Sequence, residues 1–257
     1  MIQNSIPRAL STFLEYRIKS LLIGGQACIL YGAAEFSRDI DLAVMVSSEN
    51  LDNLRRALEK LNAERIFFPD ISEDVLLNGH ACHFRCRRED VKGLRVDIIS
   101  IMRDVAPFNE LWERREEIGL SGVGKIAVIG LSDLVRTKKI QRDKDWPMIR
   151  RLIESDIFNA SNNPSRRKIC FWLTECRTPE LLISLAAEHP DLTSNMLQDR
   201  PLLRYAIDAN SEEIQRLLKD EEDKERDLDR QYWKPLKAEL EAWCHKARKE
   251  QKINKSL

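Results

Sequence analysis

The sequence predicts an α+β fold, a small mixed β-sheet flanked by helices over residues 1–158, followed by an all-α domain over residues 164–257. Three observations lead there. Two segments with period-two alternation, one setting Ile40, Leu42 and Val44 against Asp39 and Asp41 and the other, GLRVDIISI, setting Leu94, Val96 and Ile98 against Arg95 and Asp97, read as strands with one apolar face. Between them Leu51, Leu54, Leu58 and Leu61 recur at helical spacing, the kind of crossover that returns a chain to the same sheet. A polar, proline-containing stretch, NASNNPSRR at 159–167, then separates this pattern from sequence that is almost wholly helical.

Taken in order, Leu10, Phe13 and Leu14 after Pro7 predict a first helix over Ser5 to about Tyr16, covering the sheet. The apolar run from Leu21 ends in Gly24 and Gly25, and a helix-length segment leads to the strand carrying Asp39 and Asp41. Ser48 is placed to cap the crossover helix. From His80 the sequence reads as two strands joined by a polar turn at Asp90 to Gly93. Cys82, Phe84 and Cys86 fall on one face of the first, and His83, Arg85 and Arg87 on the other. His80, Cys82, His83 and Cys86 are of zinc-ligand type but divide between two faces, so they do not converge; Cys82 and Cys86 are expected in the core.

Phe108, Leu111, Trp112 and Arg115 predict a further helix, and Lys125 to Ile129 a short strand. Ser132 is placed to cap a helix with Leu134 and Val135 inward and Lys138 and Arg142 one turn apart, a basic stripe able to reach a nucleotide's phosphates or base. Beyond the linker, RPLLRYAIDANSEEIQRLLKD resembles one ankyrin-like unit and RTPELLISLAAEHPDL a looser partner, too few for a solenoid, so a small bundle is expected. EEDKERDLDR reads as a solvated helix surface. Tyr232, Trp233, Leu236, Leu240 and Trp243 read as a core-facing helix with Pro235 in its first turn, before a basic tail.

Composition narrows the class. The 257 residues carry 42 basic and 42 acidic side chains, so no global field draws the chain to nucleic acid or an anionic membrane. Six cysteines without framework spacing, and no signal peptide, predict a reducing cytoplasm and free thiols. No apolar run approaches a membrane span.

The chemistry concentrates in LLIGGQACILYGAAEFSRDIDLAVMV, residues 21–46. Asp39 and Asp41 share a strand face, and two such charges repel unless a cation holds them. Hard oxygen donors suit Mg²⁺, or Mn²⁺, better than softer metals. Gly24 and Gly25, before a helix, would let a phosphate approach backbone N–H groups. Asp97, with Arg95 on its face of a later strand, supplies a third carboxylate, and three such groups can hold two divalent ions around a phosphoryl displacement.

Gly-Gly, then Ser-x-Asp-x-Asp, then a lone strand Asp resembles the DNA-polymerase-β-type nucleotidyltransferase superfamily, most closely its small bacterial abortive-infection and type IV toxin–antitoxin members. The resemblance covers roughly the first 155 residues. It implies an NTP substrate, triphosphate contacts from Gly24, Gly25 and Ser37, and metal binding by Asp39, Asp41 and Asp97, with Asp97 as a candidate general base. In the later Lys…Arg-x-Lys-Asp pattern it implies phosphate contacts by Lys138 and Lys144, with Asp145 the acidic position paired to Arg142. Arg38, Arg85 and Asp145 are accessory candidates. Many relatives place a basic residue four before the first Asp; this chain has Glu35.

The resulting expectation is transfer of a nucleoside monophosphate to a hydroxyl of tRNA or other RNA, protein or a small molecule, releasing pyrophosphate. A nucleotide-binding protein without turnover, whose helical half docks a partner, is the alternative, as is a toxin–antitoxin component.

Overall fold

The computed structural model describes residues 5–34, 36–160 and 163–254, and the fold is α+β. Glu35, and Ser161 and Asn162 of the polar linker, lie outside the described residues. The chain divides into two units. One comprises Met1–Ala27, Phe36–Thr137 and Gln231–Leu257, the other Cys28–Glu35 and Lys138–Arg230. The chain passes between the units after Ala27, Glu35, Thr137 and Arg230.

The elements begin with α1 (Ser5–Glu15), β1 (Ser20–Ile23), α2 (Gly24–Leu30), β2 (Asp39–Val44), α3 (Ser48–Lys60), β3 (Ala63–Arg65), α4 (Glu73–Leu77), β4 (Cys82–Cys86) and β5 (Arg95–Ile99). They continue with α5 (Phe108–Glu113), β6 (Glu116–Leu120), β7 (Gly124–Val128) and α6 (Leu131–Thr137). The seven described strands form one mixed sheet in the order β3-β4-β5-β2-β1-β7-β6. Strand β2 runs antiparallel to β1 and parallel to β5.

Ile40, Leu42 and Val44 on one face of β2 are at most 2% exposed, as alternation requires. Ala43 on the opposite face is also buried, so that face opens only at Asp39 and Asp41. The edge strands are short and charged. Glu64 and Arg65 in β3, and Glu116 and Glu117 in β6, are exposed, which discourages pairing with another chain.

Two helix starts differ from expectation by a residue or two. Ser47, not Ser48, caps α3, accepting from the Asn50 amide at 3.3 Å. Buried Asn50 then ties β1 to β2: it accepts from Lys19 N and donates to the Lys19 and Met45 carbonyls. Ser132 lies inside α6, whose first bonds run from Asp133 N and Leu134 N to the Gly130 carbonyl. The carboxylate of buried Asp133 accepts two bonds from Arg114, at 2.5 and 2.9 Å. Because α6 stops at Thr137, Lys138 and Arg142 do not share one helix face.

All six cysteines are free thiols. Burial pushes the Cys82 thiol up to about 12 and the Cys86 thiol up to about 11, so both behave as apolar core groups. No helix among the described residues is long and apolar enough to cross a membrane.

Among the described residues the regular elements of the second unit are helices: the end of α2, α7 (Asp145–Phe158), α8 (Arg166–Glu175), α9 (Pro179–Glu188), α10 (Pro190–Asn195), α11 (Leu203–Ile207) and the first part of α12 (Ser211–Asn254). Its buried Arg200 is satisfied by the Leu173 and Cys176 carbonyls and by Glu221. The Trp146 indole donates to Ile140 O at 2.9 Å, with the Arg177 guanidinium 4.8 Å from its ring.

The acidic-basic run and the aromatic segment prove to be one helix, α12, which continues through Pro235. From Gln231 onward it belongs to the first unit. There Tyr232 and Leu236 lie against Gly79, the Trp243 ring stands 4.7 Å from His80, and His80 Nε2 is 2.9 Å from Glu239 Oε2.

Candidate active site

The site is built by three strands of the first unit in fixed register. Asp41 on β2 stands opposite Asp97 on β5, and Asp39 stands opposite Arg95. On the far side of β5, His83 of β4 faces Asp97 and Arg85 faces Arg95. Residues paired across a sheet share a face, so all of these project to the same side.

Strand β1 ends opposite Asp41, through the Ile23–Asp41 pair, and α2 starts at the next residue. That sharp entry needs Gly24, whose φ of +66° is costly for any residue with a Cβ. It also needs space: a Cβ on Gly24 would stand 2.0 Å from Asp41 Oδ2, and one on Gly25 would stand 2.4 Å from Ser37 Oγ. The Gly25 amide donates to Asp41 Oδ2 at 3.4 Å. Both glycines thus admit the site's own side chains at close range.

Gln26 holds the approach to β2. Its amide donates to the Ser37 carbonyl at 3.0 Å and the Asp39 carbonyl at 3.4 Å, while the Ser37 hydroxyl donates to Asp39 O. Nothing in the spacing of the sequence distinguished Gln26, because its partners are backbone atoms brought close only by the fold.

Charge is balanced around Asp97. Arg95 Nε donates to Asp97 Oδ1 at 2.7 Å, and His83 Nδ1 lies 2.8 Å from the same oxygen. Burial opposes the Asp97 charge, but the bonds from His83 and Arg95 outweigh it and hold the carboxyl below its ordinary range. His83 is further fixed by the edge-on ring of Phe67, 5.8 Å away.

The structure thus gathers Gly24, Gly25, Ser37, Asp39, Asp41 and Asp97. Of the accessory candidates, Arg85 is exposed beside Arg95, and Arg38 is exposed with its guanidinium 5.5 Å over the Phe36 ring. Lys138, Arg142, Lys144 and Asp145 belong to the second unit. There Lys138 is buried and its ammonium lies 2.8 Å from Asp145 Oδ1. Arg142 Nε lies 2.9 Å from Asp145 Oδ2, off the line of a hydrogen bond. Lys144 is exposed just before α7.

For a divalent cation the donor chemistry fits: three carboxylates on one sheet face, with a guanidinium already standing in as a cation beside them. Asp97 is turned to that guanidinium, however. Among the described residues, no three His, Cys, Asp or Glu side chains are gathered to hold a metal ion in this arrangement.

No family model matches the chain, and no curated protein matches it. Among solved structures it is similar to a Helicobacter pylori protein provisionally described as a nucleotidyltransferase, at 15% identity and a TM-score of 0.40, covering 83% of this chain and 93% of that one. It is also similar to JHP933 from Helicobacter pylori, at 14% identity and a TM-score of 0.39, covering 85% and 93%. Similarity at this level bears no weight on what the chain does.

Two outcomes follow from the geometry. Gly25→Ala should lower thermal stability by about 1–3 kcal/mol through overpacking against Ser37, and adding Ser37→Gly should restore much of it; a double variant no more stable than the single one would contradict this contact. Because the folded Asp97 carboxyl lies below its unfolded value of about 3.9, its contribution to stability is complete above that value and is lost as pH falls through the folded one. Asp97→Asn should therefore lower the urea midpoint most near about pH 7 and less and less below about pH 4; an equal loss at both would contradict the charged pairing.

Proposed function

We propose that this chain is a metal-dependent nucleotidyltransferase that moves a nucleoside monophosphate from an NTP to a hydroxyl of an RNA, protein or small-molecule acceptor. The observation that carries the reading is the register: Asp41 opposite Asp97, and Asp39 on the same face, beside the Gly24–Gly25 turn. Phosphoryl transfer calls on a protein for positioning and charge neutralisation and little covalent chemistry, which suits a carboxylate face beside a glycine turn. The likeness of sequence motif agrees with it.

Asp39 and Asp41 would hold Mg²⁺, with Asp97 completing the set. When bound, the metal supplies charge neutralisation on the phosphates and lowers the pKa of the acceptor hydroxyl. Asp97 would serve as ligand and as the candidate general base. Gly24, Gly25 and Ser37 would border the triphosphate.

A second reading, nucleotide binding without turnover, draws on the engagement of Asp97 by Arg95 and His83. The two separate in one experiment. With α-labelled NTPs, Mg²⁺ and total cell RNA or lysate, the chain should transfer label to an acceptor, and Asp39→Asn or Asp41→Asn should reduce transfer by about a hundredfold or more. Transfer that survives both substitutions would overturn the assignment, and tight NTP binding by calorimetry without transfer would favour the second reading.

A further inference from the structure

The guanidinium of Arg95 occupies a particular place. It comes from the same strand as Asp97, two residues earlier, and from the register position opposite Asp39. Its Nε takes Asp97 Oδ1 at 2.7 Å, and its Nη2 lies 3.2 Å from His83 Nδ1. Two-thirds of the Arg95 side chain is covered, which holds its positive charge beside Asp97 and at the register position opposite Asp39.

A divalent ion on this face would meet that charge. It would compete for the Asp97 oxygen and be repelled by the guanidinium at close range, where low effective dielectric makes a unit charge matter. Asp97 Oδ1 is engaged by Arg95 Nε.

We propose that Arg95 is the built-in counter-cation of the carboxylate face, a positioning residue that holds Asp97 until divalent metal displaces it, and so sets how tightly the metal set can fill. The proposal rests on the divalent-ion reading above. It makes metal affinity, and not only turnover, the property that Arg95 controls. His83 Nδ1, 2.8 Å from the same oxygen, gives Asp97 a second anchor besides Arg95.

The test is Mn²⁺ binding, read from the electron paramagnetic resonance signal of the free ion, on the full chain without nucleotide. Arg95→Met should tighten Mn²⁺ binding by about tenfold, Arg95→Lys should stay near the wild type, and adding Asp97→Asn to Arg95→Met should remove the gain. Arg95→Gln, which removes the charge and keeps a donor for Asp97, serves if the Met variant does not fold. A gain under about threefold, with binding still abolished by Asp39→Asn plus Asp41→Asn, would overturn the role of Arg95 alone. Mn²⁺ binding indifferent to those two acids, or no binding by any of the proteins, would overturn the divalent-ion reading together with it.

Discussion

The register between β2 and β5 is the constraint on which the site depends. Shifting a strand by one residue sends every side chain to the other face. Here a slip would bury Asp39 and Asp41 and expose Ile40, Leu42 and Val44, which are nearly inaccessible to solvent. The same pairing that builds the core therefore holds Asp41 opposite Asp97. Asn50 reinforces it at the far end of β1 and β2, where its side chain bonds both strands' flanking backbone.

Given that register, two local features complete the face. At one end of β1 the chain turns into α2 so tightly that only glycine fits beside the Asp41 carboxylate. On the other side, Arg95 and His83 converge on one oxygen of Asp97. Without them three acids on adjacent strands would repel one another at neutral pH; with them the sheet is stable as it stands. The face is thus held as it stands by the bonds of Arg95 and His83 to Asp97.

Much of this was legible in the sequence because alternation is a direct record of which face a strand buries. Parity alone separated Ile40, Leu42 and Val44 from Asp39 and Asp41, Cys82, Phe84 and Cys86 from His83 and Arg85, and Val96 and Ile98 from Arg95 and Asp97. Other parts were not legible. The charged edge strand β6, with Glu116 and Glu117 exposed, has no apolar face to betray it, and the three-residue β3 is too short to show a period. Gln26 and Asn50 act through backbone partners that only the fold brings near. Nor was it legible that a helix as long as α12 contributes to both units, because composition does not record long-range packing.

The central claim is that Asp39, Asp41 and Asp97 form one cation-binding face, and crystals soaked in Mn²⁺ test it most directly through anomalous diffraction. The account predicts a Mn²⁺ peak within bonding distance of Asp39 and Asp41, with Asp97 turned from Arg95 toward it. A soaked crystal with no peak on this face, or with its Mn²⁺ bound only elsewhere, would contradict it.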